Sequence, residues 1–320
     1  MKTVQILMST YNGEKYLREQ IDSILEQDCE EKGIAKVKLL IRDDGSTDNT
    51  QHILREYSEK FSGRVEWYQG ENKGVIGSFF DLLQKSEMDA DYFGFADQDD
   101  FWLSEKIRTG IEHLEQESSL SPNLYCCRFT PVDEHLQELK SNIHRPPMRP
   151  SFGNALVENI VAGCTILMNG TLKDLILVEL PKYTVMHDWW CYLTASFYGN
   201  VYFDEQSYIL YRQHGENAVG SNVSRWKEFV GRIKRYQGNR GNISHQMEEF
   251  LRIYQGQKMA SAIEEMKLQI DEEKIQLAKQ LIEGKKSIKT RVKLVQGGEI
   301  YRQRKTDDQI FKVIILKGSY

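Results

Sequence analysis

Three apolar, strand-like runs near the start of the chain each end abruptly in a polar loop, and each loop leads into a helix-like stretch. The runs occupy residues 4–8, 37–41 and 92–96. Strands that alternate with helices in this way form a largely parallel sheet covered on both faces. The loops at the carboxyl ends of such strands converge on one crevice, where ligands bind. The pattern therefore predicts an α/β fold with a ligand site at these strand ends.

The three polar loops are rich in carboxylate, amide and hydroxyl groups. They read S-T-Y-N-G at 9–13, D-D-G-S-T-D-N-T at 43–50 and D-Q-D-D at 97–100. If the backbone turns between Asp97 and Asp99, both carboxylates enter one opening, and oxygen ligands so placed suit Mg²⁺ or Mn²⁺ bridging to a diphosphate. An isolated pair of this kind is more often an acidic turn, but three such loops in succession indicate a binding site.

These motifs, in this order and at this spacing, resemble those of the inverting nucleotide-sugar glycosyltransferases of family 2. The resemblance covers roughly residues 1–215. It implies the GT-A fold, an α/β architecture with a mostly parallel central sheet flanked by helices. The later segment Y-R-Q-H-G-E-N, at 211–217, resembles more narrowly the bacterial rhamnosyltransferase branch of that family.

The alternation of strands and helices changes partway along the chain. We therefore expect a catalytic domain over 1–220, with a nucleotide half at about 1–120 and an acceptor half at about 121–220. Beyond it, residues 221–320 are charged, helix-prone and poor in proline, which predicts a mainly helical C-terminal extension. Within the extension, the apolar run at 312–317 has two interpretations: it is a late strand, or it is a contact with a membrane or with a second copy of the chain.

The resemblance implies roles for residues of the nucleotide-sugar site. Asp43 would accept the N3–H of uracil or thymine, with Thr10 and Asn12 lining the pocket beside it. Asp44 would brace its loop or reach the ribose, although a turn-forming role is an equal alternative. Asp97 would bind the ribose, or the metal through water.

For the diphosphate, the resemblance implies Mn²⁺ or Mg²⁺ with Asp99 as a direct ligand. His214 corresponds to an additional metal or phosphate contact of the family. Asp100 is expected to hold a neighbouring backbone group instead. Lys73 and Arg212 remain open as phosphate contacts, because nothing in the sequence fixes where their side chains point.

The segment M-H-D-W-W at 186–190 carries the expected acceptor chemistry. Asp188 near a helix start would ordinarily be an N-cap, worth about 1 kcal/mol. In the family, however, an acidic residue before an aromatic pair serves as the general base, although His187 departs from the commoner Glu-Asp form. Trp189 and Trp190 would stack on the apolar face of a sugar, or be buried. One base facing a leaving group implies a single displacement that inverts the anomeric centre.

Together these features predict a metal-dependent inverting glycosyltransferase that moves L-rhamnose from dTDP-L-rhamnose. The acceptor would be a hydroxyl of a growing surface polysaccharide or a lipid-linked oligosaccharide. A UDP-hexose donor, galactosyl or glucosyl, is the alternative, because the base pocket hardly separates uracil from thymine. A non-catalytic nucleotide-sugar-binding protein is a third interpretation. A nucleotidyltransferase would need a glycine- and lysine-rich phosphate loop, which residues 9–13 lack.

Composition narrows the location and the partners. A net charge of −5 argues against a general nucleic-acid binder, and five cysteines without metal-ligand spacing fit a reducing cytoplasm. The start of the chain lacks the features of a signal peptide. We expect a cytoplasmic protein. A peripheral contact with the inner membrane surface is open, because the run at 225–235 reads as a basic amphipathic helix that lies on lipid or packs on the catalytic domain. A homodimer is open as well.

Overall fold

The computed structural model describes residues 1–139, 146–213 and 241–320, and these residues form two compact units. The first unit contains the described residues 1–139, 161–180 and 199–213, and the second contains 146–160, 181–198 and 241–320. His214 and the predicted amphipathic run at 225–235 lie outside the described residues.

The first unit is built around a mixed sheet. Its strands are β1 (Lys2–Thr10), β2 (Ala35–Asp43), β3 (Val65–Gln69), β4 (Tyr92–Ala96), β5 (Phe101–Trp102), β6 (Asn123–Val132), β7 (Leu167–Asn169) and β8 (Asn200–Arg212). In the described part of the chain the strand order is β3-β2-β1-β4-β7-β6-β8-β5. The pairs β1–β2, β1–β4, β2–β3 and β6–β8 are parallel, whereas β7 is antiparallel to β4 and β6, and β5 to β8. The predicted α/β sheet is therefore confirmed.

Helices connect these strands. They are α1 (Leu17–Leu25), α2 (Thr50–Lys60), α3 (Gly74–Lys85), α4 (Lys106–Leu114) and, further along, α6 (Gly170–Leu177). In α1 the apolar residues Leu17, Ile21 and Ile24 share the buried face. The run at 4–8 in β1 is buried throughout, as expected of a parallel strand covered on both sides.

The strand register aligns the polar loops at one edge of the sheet. Thr10 at the end of β1 pairs with Asp43 at the end of β2, and Asp43 pairs in turn with Gln69 at the end of β3. On the other side of β1, Met8 pairs with Ala96, so that Asp97 follows at the same edge. Parallel pairing thus brings together the strand ends from which the three loops emerge.

Helices make up the second unit. They are α5 (Phe152–Ala155), α7 (His187–Tyr198), α8 (Asn242–Tyr254), α9 (Gln257–Glu265), α10 (Glu272–Gly284), α11 (Ile288–Gly297) and α12 (Lys305–Lys317). The predicted helical C-terminal extension is confirmed for 241–320, and the run at 312–317 is helical, so a late strand is wrong. Among the described residues, no helix combines the length and the apolar character needed to cross a bilayer.

An aromatic cluster fills the core of the second unit. Phe250 of α8 lies with its ring centroid 5.2 Å from that of Phe197 and 5.8 Å from that of Trp190, both edge to face. Phe152 of α5 packs against Phe197 at 5.0 Å. Edge-to-face pairs at these distances add to the free energy of burying each ring. The cluster therefore joins three segments that are far apart in the sequence.

We expect Phe250→Ala to lower the free energy of unfolding by about 3–5 kcal/mol, because it removes a buried ring and leaves a cavity. Urea denaturation followed by circular dichroism measures this. Met186→Ala, which shortens an exposed apolar side chain of the same unit, is the control and should change stability by less than about 1 kcal/mol. Equal effects of the two substitutions would show that Phe250 is not part of the core.

Candidate active site

A glutamine joins the loops that follow β1 and β4. The Oε1 atom of Gln98 accepts hydrogen bonds from the Thr10 hydroxyl at 2.6 Å and from the Tyr11 backbone N–H at 2.9 Å. Its amide nitrogen donates to the Tyr11 carbonyl oxygen at 3.2 Å. Gln98 therefore both accepts from and donates to the backbone of Tyr11. These bonds hold Thr10 and Tyr11 next to the loop at 97–100.

An asparagine joins the loops that follow β1 and β2. Asn12 has a left-handed backbone, with φ at 49°, which asparagine tolerates better than most residues. Its N–H donates to the Ser46 hydroxyl at 2.9 Å, and its side-chain carbonyl accepts the N–H of Thr47 at 2.8 Å. The three polar loops thus form one hydrogen-bonded group.

Asp43 is fully buried at the end of β2. Its carboxylate accepts hydrogen bonds from the Ser46 N–H at 3.2 and 3.3 Å, from the Ser46 hydroxyl, and from the Gln51 amide at 2.9 Å. These bonds close the loop on itself and fix the direction of the carboxylate. Recognition of a base by Asp43 stays a prediction.

Asp44, the first residue after β2, is buried against an arginine of that strand. Its carboxylate forms an ion pair with the Arg42 guanidinium and accepts a hydrogen bond from the Ser78 hydroxyl. Arg42 also donates to Asp81 at 3.1 Å and to the Glu71 carbonyl oxygen at 2.7 Å. Arg42, Ser78 and Asp81 are not among the predicted site residues. The sequence signal that could have identified Arg42 is its position as a charged residue in an apolar strand, directly before two aspartates.

An open pocket of about 600 Å³ lies beside Asp44 in the first unit, within the usual size range of small-molecule sites. Its lining consists of Tyr11, Asp44, Gly45, Gln69, Gly70, Glu71 and Asn72. Gly45 has a φ of 86°, which favours glycine there. A Cβ atom at Gly70 would overlap the Arg42 guanidinium. The sequence did not assign residues 69–72 to the site, because β3 does not end in a recognisable motif.

Three aspartates, at 97, 99 and 100, lie close together after the end of β4. Ligand atoms of Asp97, Asp100 and Cys164 lie within 4.8 Å of one another. Burial, and then repulsion from Asp97 and Asp99, raise the pKa of the Asp100 carboxyl well above its usual value. Burial also raises the pKa of the Cys164 thiol, which makes this group a poor ligand for a hard cation. Crowded carboxylates of this kind fit Mg²⁺ or Mn²⁺, since a divalent cation would relieve their repulsion.

Arg212, the last residue of β8, is buried and binds the turn formed by residues 97–100, which we call the aspartate turn. Its Nε donates to the Asp99 carbonyl oxygen at 2.9 Å, and its backbone N–H donates to Asp100 at 3.1 Å, so that Asp100 binds a neighbouring backbone group as expected. The guanidinium also contacts the Glu19 carboxylate and lies 4.3 Å from the centre of the Tyr16 ring. These contacts make Arg212 an internal support of the turn.

In the second unit, Asp188 is the second residue of α7 and is buried. Its Oδ1 atom accepts hydrogen bonds from the Asn159 amide at 2.9 Å and from the Trp189 N–H at 2.6 Å. Burial lowers the pKa of the neighbouring His187 to about 3, so this imidazole is neutral at physiological pH. Asn159, which the sequence did not single out, therefore orients the carboxylate beside an uncharged neighbour.

The two tryptophans after Asp188 differ in their surroundings. The indole N–H of Trp189 donates to the Ala155 carbonyl oxygen at 2.7 Å, and the side chain is partly exposed. Trp190 is buried in the aromatic cluster around Phe250. Contact of either ring with an acceptor stays a prediction, and the structure shows that Trp190 also has a packing role.

Known proteins are similar to the chain in sequence and in fold. The family model for glycosyl transferase family 2 matches residues 5–175. The dTDP-rhamnosyl transferase RfbG of Shigella flexneri is 30% identical over 231 residues, which cover 68% of this chain and 75% of that protein. A putative teichuronic acid biosynthesis glycosyltransferase of Bacillus subtilis, TuaG, is 28% identical over 170 residues, or 52% of this chain and 61% of that protein.

Solved structures show the same architecture at low sequence identity. TarS 1–349 of S. aureus superposes with a TM-score of 0.54 at 15% identity, covering 99% of this chain and 90% of that one. GalNAc-T7 with UDP, GalNAc and Mn²⁺ has a TM-score of 0.53 at 10% identity, covering 86% and 56%. The predicted GT-A fold is thereby confirmed.

We expect Asp81→Asn to destabilise the first unit in a pH-dependent way. Burial raises the pKa of the Asp81 carboxyl, but hydrogen bonds from Lys73, Tyr68 and Arg42 outweigh it, and the pKa lies below its usual value. A depressed pKa adds stability above the unfolded-state value, near pH 4, and this contribution is lost as the pH falls through the folded-state value. The substitution should therefore cost about 2–4 kcal/mol at pH 7 and less below about pH 4.

Urea denaturation at neutral and acid pH measures this difference. Asp89→Asn, at an exposed position of the same unit, is the matched control and should have little effect at either pH. A cost for Asp81→Asn that does not change with pH would mean that the ion pairs of Asp81 contribute nothing to stability.

Proposed function

Because the chain belongs to glycosyl transferase family 2, we propose that it transfers L-rhamnose from dTDP-L-rhamnose to a hydroxyl group of a saccharide or lipid-linked saccharide. Membership of the family makes the chain a nucleotide-sugar glycosyltransferase. The observation that carries the choice of donor is the 30% identity to the dTDP-rhamnosyl transferase of Shigella flexneri. The rhamnosyltransferase-like segment at 211–217 supports the same choice.

In this proposal the nucleoside binds at the joined loops of the first unit. Asp43 accepts the N3–H of thymine, and the bonds from Ser46 and Gln51 set the direction of its carboxylate. Thr10 and Asn12 line the base pocket. Asp44, held by Arg42, forms the wall next to the open pocket. Support for this arrangement comes from the hydrogen bonds that bring the loops together.

The diphosphate is placed at the aspartate turn. Asp99 holds Mn²⁺ or Mg²⁺ directly in this proposal, Asp97 binds the ribose or the metal through water, and His214 adds a further ligand. A divalent cation bound there would neutralise the diphosphate as it leaves. Arg212 keeps the turn in position by binding the Asp99 carbonyl oxygen. The mutual repulsion of the carboxylates supports a cation at this turn.

Asp188 is proposed as the general base. It takes the proton from the acceptor hydroxyl while that oxygen attacks the anomeric carbon and the bond to the diphosphate breaks, which inverts the configuration. Its orientation by Asn159, beside the neutral His187, supports this role. Trp189, which is partly exposed, and Trp190 are the proposed acceptor contacts.

The donor is tested by titrating the purified full chain with dTDP-rhamnose, UDP-glucose and UDP-galactose, with and without Mn²⁺. Thermal stability and released nucleotide are the two measurements, since a bound ligand stabilises the folded state by mass action. We expect dTDP-rhamnose with Mn²⁺ to raise the melting temperature most and to release dTDP slowly. Asp99→Asn should abolish the part of this shift that depends on Mn²⁺, whereas Asp89→Asn should preserve it.

A response to a UDP-hexose in place of dTDP-rhamnose would contradict the proposed donor and leave the enzyme class intact. An unchanged Mn²⁺ effect in Asp99→Asn would remove this residue from the ligands of the metal. Absence of any response, in binding and in nucleotide release, would favour a non-catalytic role.

We expect Asp188→Asn to bind the donor as tightly as the wild type and to transfer sugar about 10²–10⁴-fold more slowly, because the amide cannot accept the proton of the acceptor. Binding is measured by thermal shift, and transfer by chromatography with a saccharide acceptor. Near-normal turnover in this variant would exclude Asp188 as the general base.

A further inference from the structure

Two neighbouring helices of the second unit expose aliphatic side chains. On α11, Ile288 is 71% and Val292 is 38% exposed. On α12, Ile310 is 41%, Val313 is 51% and Leu316 is 44% exposed. We call these five residues, together with the exposed Lys285, Lys286, Lys289 and Lys293, the α11–α12 face. Single exposed aliphatic residues are common on proteins, but rows of them on adjacent helices indicate a contact surface.

The two helices are held together, so that this face is a fixed feature of the unit. Arg291 of α11 donates to the carbonyl oxygen of Leu316 in α12 at 3.1 Å, and also to those of Gly284 at 2.6 Å and Lys285 at 2.9 Å. Phe311 and Ile315 of α12 are buried on the opposite side of that helix. Turning the exposed row of α12 inward would expose this buried row, so α12 cannot hide its aliphatic side chains by rotating.

Positive charge surrounds the aliphatic rows. Residues 285–293 contain five Lys or Arg residues and no Asp or Glu. Over 285–320 there are ten basic and three acidic residues, a net charge of +7 in a chain whose total is −5. The lysines at 285, 286, 289 and 293 are exposed. The basic charge therefore lies on and directly before the same two helices that carry the exposed aliphatic groups.

We propose that the α11–α12 face docks on the surface of an anionic lipid bilayer. The lysines would lie among the lipid phosphates, while the aliphatic side chains enter the boundary between headgroups and acyl chains. This inference goes beyond sugar transfer, because it assigns a second binding surface whose ligand is lipid. For the run at 312–317 it selects the membrane contact among the alternatives given above, and it rests on other residues than the predicted amphipathic run at 225–235.

Other occupants fit the face less well. A second copy of the chain using the same patch would bring lysines against lysines, because a twofold interface pairs a surface with itself. A nucleic acid would use the charge, but the exposed apolar residues of the face are aliphatic and offer no ring on which a base could stack. An anionic bilayer offers phosphates to the lysines and acyl chains to the aliphatic side chains of the face.

The test is sedimentation of the full chain with vesicles of phosphatidylcholine that contain phosphatidylglycerol, and with vesicles of phosphatidylcholine alone. Three double variants are compared with the wild type. Lys289→Gln with Lys293→Gln removes charge, and Val313→Gln with Leu316→Gln removes aliphatic surface. Lys60→Gln with Lys258→Gln is the matched control, since both lysines are exposed and lie elsewhere. Melting temperatures establish that each variant is folded.

We expect the wild type to bind the anionic vesicles and to release them at high salt. Each variant of the face should bind on the order of tenfold more weakly, whereas the control should bind like the wild type. Wild-type protein that ignores anionic vesicles, or face variants that bind as well as the control, would overturn the proposal. So would a change in oligomeric state, measured by light scattering, in place of a change in vesicle binding. No donor sugar is present, so the outcome is independent of the proposed donor.

Discussion

The buried guanidinium of Arg42 is the interaction on which the nucleotide side of the first unit depends. An unpaired charge at such a position costs several kcal/mol, so its partners must all be in place. Those partners come from Asp44 in the loop after β2, from Ser78 and Asp81 in α3, and from the backbone of Glu71 after β3. One side chain therefore ties a strand, a helix and two loops together, and the wall of the open pocket follows from that arrangement.

Much of this fold could be predicted because its signals are local. Apolar strands that end in polar loops identify the carboxyl edge of a parallel sheet, and the sheet then brings the loops together. The aligned positions of Thr10, Asp43 and Gln69 follow from parallel pairing alone. The order of the three motifs was sufficient to indicate the family and its GT-A fold.

What the sequence left undetermined depends on partners that are distant along the chain. Nothing beside Arg212 indicates that it will bind the carbonyl oxygen of Asp99, and nothing beside Asp188 indicates Asn159. The aromatic cluster of the second unit joins Phe152, Trp190 and Phe250, and helical periodicity does not show which apolar faces meet. Asp43 illustrates a related limit, since a motif predicts that an acid is present but not how many of its acceptor sites are used within its own loop.

Gln98 connects two loops of the site through hydrogen bonds that involve no charged group. It stands between Asp97 and Asp99, yet it contacts the first loop through an amide that has no ionisable proton. The link to Thr10 and Tyr11 therefore does not depend on the charge of the carboxylates on either side. The opening between the first and third loops is therefore pre-organised by a neutral connection, and a ligand that enters it need not supply the free energy to assemble it.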